Sequence, residues 1–245
     1  MLSRILVVGL VAGFVAGFTL AVIQQFKVAP LIAAAEVYED AAAQTHDHSA
    51  AGANHDHAHA AAAAEPQEWE PAAGLERLAF TLLADLVVAV GFAFVLSGGF
   101  AVRQALSGHV PTAWEGFVWG LAGFAAFALA PALGLPPEPP GMVSADMFAR
   151  QAWWLGTAVA TVAGLGAIAF GRGWIWRIAG VLLLVAPHVI GAPLRPEGAD
   201  AVPASIAAQF VAASLATTAL FWIVLGSFGG WLYARIDRRA PSAAG

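Results

Sequence analysis

Apolar residues in this chain come in long, nearly unbroken runs rather than in the one-sided stripes of soluble helices. Six runs stand out, at roughly 4–25, 78–101, 114–134, 152–170, 174–192 and 206–233. Each approaches or exceeds the roughly 20 residues that a helix needs to cross a hydrocarbon core about 30 Å thick. The pattern predicts an all-α fold, a polytopic transmembrane helical bundle of about six spans. Pro187 and Gly191 shorten the clean stretch of the fifth run, so a five-span reading that drops or fuses it stays open.

The runs divide the chain into a first transmembrane helix at 1–26, a polar low-complexity loop at 27–77, a five-helix bundle at 78–233 and a basic tail at 234–245. The first run carries Gly9, Gly13 and Gly17 at four-residue spacing, and clusters recur at Gly116, Gly120 and Gly123 and at Gly226, Gly229 and Gly230. Such residues let neighbouring helices approach closely in a membrane. Arg4 before an apolar run, with Ala33-Ala34-Ala35 after it, also fits a cleavable signal peptide. The run is longer than the roughly 7–15 apolar residues of such peptides, which favours a retained helix.

Composition agrees with this class. Of 245 residues, 60% are hydrophobic and 11% charged, with mean hydropathy +0.74, whereas a soluble domain carries about 25% charged residues. Cysteine is absent, which excludes disulfides, thiolate ligands and a cysteine nucleophile. Lys27 is the only lysine and lies in no GxxxxGK[ST] loop, so the chain is no P-loop ATPase. A net charge of -5 argues against nucleic acid as a partner.

Positive charge sets orientation in membranes. With a cytoplasmic N-terminus and six spans, the inner side holds Arg4, Arg103, Arg172, Arg177, Arg235, Arg238 and Arg239, and the outer side holds Lys27, Arg77, Arg150 and Arg195. This asymmetry places both termini in the cytoplasm of a bacterial-type inner membrane and the 27–77 loop outside. Trp114, Trp153, Trp154, Trp174, Trp176 and Trp231 fall near the expected helix ends, where indoles suit the headgroup region.

The outer loop carries the most distinctive chemistry. His46, His48, His55, His57 and His59 make up five of the chain's seven histidines, interleaved with Asp47 and Asp56. Imidazole and carboxylate suit divalent cobalt, nickel, copper or zinc, and the nearby Glu36, Glu39, Asp40, Glu65, Glu68 and Glu70 would concentrate cations. The simpler reading is a solvated spacer whose histidines bind metal only incidentally.

Within the spans and the turn after the third, three residues invite a functional reading. Asp85 lies about two turns into the second span, where a carboxylate is costly and by default a functional candidate. His188 sits in Pro187-His188-Val189-Ile190-Gly191-Ala192-Pro193, where broken helix geometry can line a cavity. Glu138 lies in the turn Pro131–Gly141, which is too rich in proline to be helical. Asp146 follows that turn. In the assigned topology Asp85, Glu138, Asp146 and His188 all belong to the outer half, so ligands from three regions can converge there. Each also has a structural reading, as a buried pair, a packed core histidine or a rigid connector. His109 and Glu115, on the inner side, read as ordinary interfacial residues.

The Pro131–Gly141 turn, the Arg150-Gln151-Ala152-Trp153-Trp154 segment and the Pro187–Pro193 segment, in this order between spans, resemble those of CbtA, the larger component in a proposed family of cobalt transporters. The resemblance runs from the first span to the last. It implies a membrane permease component for cobalt uptake linked to cobalamin supply, and a small single-span companion subunit (CbtB-like).

Taken together, residues and resemblance point to a permease subunit for uptake of a divalent transition metal. Cobalt comes first and nickel or zinc also fits. Lipid and the metal ion are the expected partners, homo-oligomerisation is left open, and no permanent cofactor is expected. The candidate metal-handling residues are His46, His48, His55, His57, His59, Asp85, Glu138 and His188. The alternative is a non-transporting metal sensor or scaffold that presents the histidine loop to a partner. An enzyme is not expected, because no HExxH, GxSxG or paired-carboxylate pattern occurs.

Overall fold

The computed structural model describes residues 1–50, 71–72, 74–198 and 200–239, with side chains for all of these except 43, 45–50 and 239. Among the described residues the regular structure is entirely helical: α1 (Leu2–Lys27), α2 (Ala29–Ala50), α3 (Leu75–Ser107), α4 (Ala113–Ala132), α5 (Met147–Phe170), α6 (Trp174–Ile190) and α7 (Ala204–Arg239). The fold is thus an all-α polytopic bundle. Five helices, α1, α3, α4, α5 and α7, are long and apolar enough to cross a membrane. The expected fifth span, α6, has 17 residues. At 1.5 Å per residue it reaches about 25 Å, short of the roughly 30 Å hydrocarbon core.

Contacts between helix ends fix the direction of each helix. Arg4 in the first turn of α1 pairs with Asp237 in the last turns of α7, and its Nη1 donates to Gln104 Oε1 near the end of α3 at 2.8 Å. Gln104 Nε2 donates to Asp237 Oδ1 at 3.0 Å, and Tyr233 Oη donates to Gln104 Oε1 at 2.8 Å. The chain therefore begins and ends at one end of the bundle, here termed the terminal end. Arg103 on α3 lies 3.6 Å from Glu115 on α4, and Trp119 on α4 packs on Phe170 on α5, so the α3–α4 and α5–α6 turns share that end. A chain that returns to its starting end makes an even number of traverses. α6 supplies the sixth, despite its length.

Glycine positions set how closely the helices pack. A Cβ on Gly13 would lie 2.6 Å from the Cα of Val90, and one on Gly17 would lie 2.8 Å from the Cβ of Ala89, so only glycine lets α1 lie against α3 at this distance. Gly116 and Gly120 on α4 face Gly226 and Gly230 on α7 in the same way, with Gly116 Cα 2.9 Å from a Cβ built on Gly230. Around these seams α1, α3, α4 and α7 enclose a core of Val8, Ala12, Ala16, Leu96, Phe100, Trp222, Leu225 and Tyr233. Trp222 stacks on Phe127 at 5.7 Å between ring centroids and tilts against Phe92 at 4.9 Å. Helices α5 and α6 form a separate hairpin, closed by Gly164 against Gly180. It leans on the core through the second half of α4.

Two local features depart from the sequence reading. The stretch from 27 begins with a helix, α2, rather than with loop. Its alanine-rich composition has high helix propensity, and Ala35 on it is fully buried. Pro131, expected to lie outside helix, sits in the last turn of α4. It has no N–H to continue the ladder, and the chain accommodates it with a π-helical turn at Ala125–Leu129 just before it.

Candidate functional site

At the end opposite the termini, the loops 133–146 and 191–203 are locked together. Asp200 Oδ1 accepts the Val143 N–H at 2.9 Å, Arg195 Nη2 lies 2.7 Å from both Asp200 oxygens, and the Ala201 N–H donates to the Gly141 carbonyl at 3.0 Å. The Val143 amide and then the Arg195 guanidinium hold the Asp200 carboxyl below the ordinary aspartate range. α2 lies over this joint, because a Cβ on Gly141 would sit 3.1 Å from the Cβ of Glu39. Glu36 on α2 pairs with Arg77 at the start of α3 at 2.9 Å.

Beneath the locked loops lies an open cleft of about 450 Å³ lined by Gly134, Pro136, Glu138, Trp153, His188 and Arg195, among others. The proline-flanked turn brings Glu138 in from one side, and the last turn of α6 brings His188 from the other. Trp153 on α5 meets the His188 ring edge to face at 6.1 Å. A side chain at Gly134 would run into the Trp153 indole, so the absence of one lets Trp153 reach the cleft wall. Trp153 Nε1 is buried and has no hydrogen-bond partner among the described residues.

Glu138 is the most constrained group in the cleft, with its side chain 9% exposed. Ser144 Oγ donates to its Oε2 at 2.6 Å, and Arg150 Nη2 lies 3.0 Å from the same oxygen. Among the described residues the only hydrogen bond to the Glu138 carboxylate is the one that Ser144 makes to Oε2. The Glu138 carboxylate and the His188 imidazole thus belong to residues that line the same open space. Among the described residues no group of three or more His, Asp or Glu side chains comes together.

The other residues singled out from the sequence lie elsewhere. Asp85 sits on the α3 stripe that continues through Ala89, Ala93, Leu96 and Phe100 into the core, facing α1, and it does not line the cleft. Its Oδ2 is buried without a hydrogen-bond partner among the described residues. Asp146 caps α5, accepting the Ala149 N–H at 2.8 Å. His46 and His48 lie on the last turns of α2, with their side chains outside the described residues. His55, His57 and His59 lie outside the described residues altogether. At the terminal end, His109 Nε2 lies 2.8 Å from both oxygens of Glu115, which also completes the capping box of Thr112.

The model of the family described as probable cobalt transporter subunit (CbtA) matches residues 2–234. The chain belongs to the CbtA family. It is therefore a multi-pass membrane protein of a transporter-subunit family rather than of an enzyme family. No curated protein and no solved structure matches it. CbtA membership embraces all six traverses as well as the Glu138–His188 cleft.

Proposed function

We propose that this chain is a permease subunit that takes up a divalent transition metal, cobalt first, through the cleft between Glu138 and His188. The observation that carries this reading is that one carboxylate residue, Glu138, and one imidazole residue, His188, line a single open cleft at the end opposite the termini. A lone oxygen and a lone nitrogen, with water completing the coordination, suit an ion that must bind and then leave. Cobalt, nickel and zinc all accept this donor pair, so selectivity would rest on geometry and metal supply rather than on raw affinity.

In this reading the terminal end faces the cytoplasm, in line with its arginines. The histidines of 46–59 collect the ion on the outer side, at the end of the bundle where α2 and α3 meet. Asp85, removed from the cleft and with a buried oxygen lacking a hydrogen-bond partner among the described residues, is assigned to proton exchange along the α1–α3 seam. An unpaired carboxylate in a span is otherwise hard to sustain.

The test is uptake of radiolabelled cobalt, nickel and zinc into proteoliposomes. Intact protein should accumulate cobalt above empty vesicles, and His188→Ala and Glu138→Gln should each lower the initial rate at least about ten-fold, the equivalent of about 1.4 kcal/mol. Deleting residues 41–64 should raise the metal concentration needed while sparing flux at high metal. Uptake that is unaffected by both cleft substitutions would remove the cleft from the route.

A further inference from the structure

Arg150 stands between two spaces. On one side its guanidinium pairs with Glu138, which faces the 450 Å³ cleft. On the other it lines a larger cavity of about 690 Å³ between α4, α5 and α7, together with Gln151, Ser214 and Thr218. The hydroxyls of that second cavity, like that of Thr157 on α5, are not used up by the helix backbone. Thr19, Thr81, Thr161 and Thr217 each donate to the carbonyl four residues earlier, as membrane helices usually arrange. Ser214 Oγ, Thr218 Oγ and the Gln151 amide have no hydrogen-bond partner among the described residues. A second set of acceptors for a guanidinium is therefore already in place, with room to receive it. Arg150 is also 34% exposed, and so less fixed than the carboxylate that it holds.

From this arrangement we infer that Arg150 is a tethered counter-cation, competing with the transported metal ion for Glu138 and swinging between the cleft and the neighbouring cavity. The inference rests on the cleft being the metal's entry site. A divalent ion entering from the outside binds Oε1 of Glu138 and His188. The carboxylate then has less charge to offer the guanidinium, which moves towards Gln151, Ser214 and Thr218. When Arg150 returns, it restores neutrality at Glu138 and drives the metal off. Such a competitor speeds release beyond what the sparse donor pair achieves by itself. Arg150 thus acts through Glu138 and is a positioning residue, not a ligand.

The experiment is equilibrium binding of radiolabelled cobalt to the full chain in lipid nanodiscs, scored on the component that Glu138→Gln removes, so that binding by the histidine segment cancels. Arg150→Gln should tighten that component on the order of ten-fold, the factor that one partly exposed charge-assisted hydrogen bond represents. Arg150→Lys, which keeps the charge, should return it towards wild type. In proteoliposomes Arg150→Gln should lower KM for cobalt while slowing the maximal rate, a split that a merely structural role would not produce. Elution and melting behaviour identify any variant that fails to fold; should Arg150→Gln do so, Arg150→Met, which also removes the charge, takes its place with the same expected tightening. Binding that is unchanged or weaker in Arg150→Gln overturns this inference alone. Absence of any component sensitive to Glu138→Gln overturns both the inference and the cleft as entry site.

Discussion

Glu138 lies between Pro136-Pro137 and Pro139-Pro140, whose fixed φ angles leave the turn few alternative paths. The carboxylate is thereby held in place before any partner contacts it, and Ser144 and Arg150 then complete its setting. Asp200 plays a different part, joining two loops above the cleft. Its carboxyl is depressed below the ordinary value by the Val143 amide and Arg195. A depressed carboxyl stabilises the folded state fully above its unfolded pKa and loses that contribution as pH falls through the folded one. The melting temperature of wild type should therefore exceed that of Asp200→Asn by a constant margin from about pH 8 to pH 5, and the margin should close below the ordinary aspartate value of about 4. A margin that stays open in acid would mean that the Asp200 contacts do not join the loops. The proline pattern around Glu138 and the broken helix at His188 made both residues legible in the sequence. Their meeting was legible only as a shared half of the membrane. Asp85 belongs to that half too, but its position on the α3 stripe turns it towards α1. No reading by depth in the membrane could separate it from the others. The Arg195–Asp200 pair left no signal, because both lie in a loop without periodicity.

Among the helices, the glycine spacing of α1 was the clearest guide to packing. Gly9, Gly13 and Gly17 do form a seam, and Gly116, Gly120, Gly226 and Gly230 form a second one. Gly13→Ala would place a Cβ 2.6 Å from the backbone of Val90, so the two helices must part. Overpacking of this kind costs about 1–3 kcal/mol. Gly91→Ala, on α3 with nothing within 4 Å of the added carbon, should be neutral or stabilising by up to about 1 kcal/mol. Denaturant titration of the two variants in mixed micelles checks the contrast, and equal behaviour would contradict the α1–α3 seam. Boundaries were less legible than pairing. α5 begins at Met147 and α7 runs to Arg239, well past the apolar runs, because a helix end in the headgroup region or in water need not be apolar. α2 went unread as a helix for the related reason that its carboxylates broke the apolar pattern while its alanines kept the propensity.

For the whole molecule, the reading of six traverses from hydropathy and the polar junction of Arg4, Gln104, Tyr233 and Asp237 reach the same topology by separate routes. α6 is the element on which the count turns. Its length alone argues for five crossings, and the return of the chain to its starting end argues for six. α2, which carries His46 and His48, lies through Glu36 and Glu39 at the far end from the termini. The proposal that the terminal end faces the cytoplasm rests on the arginine bias, and metal entry at the cleft depends on that orientation. The chain has no cysteine, so His55→Cys and Ser242→Cys can each be labelled in intact cells with a membrane-impermeant maleimide. The position at 55 should label without permeabilisation, and the one at 242 only after it. If both positions label from the same side, or only 242 labels from outside, metal cannot enter through the cleft from the outer face.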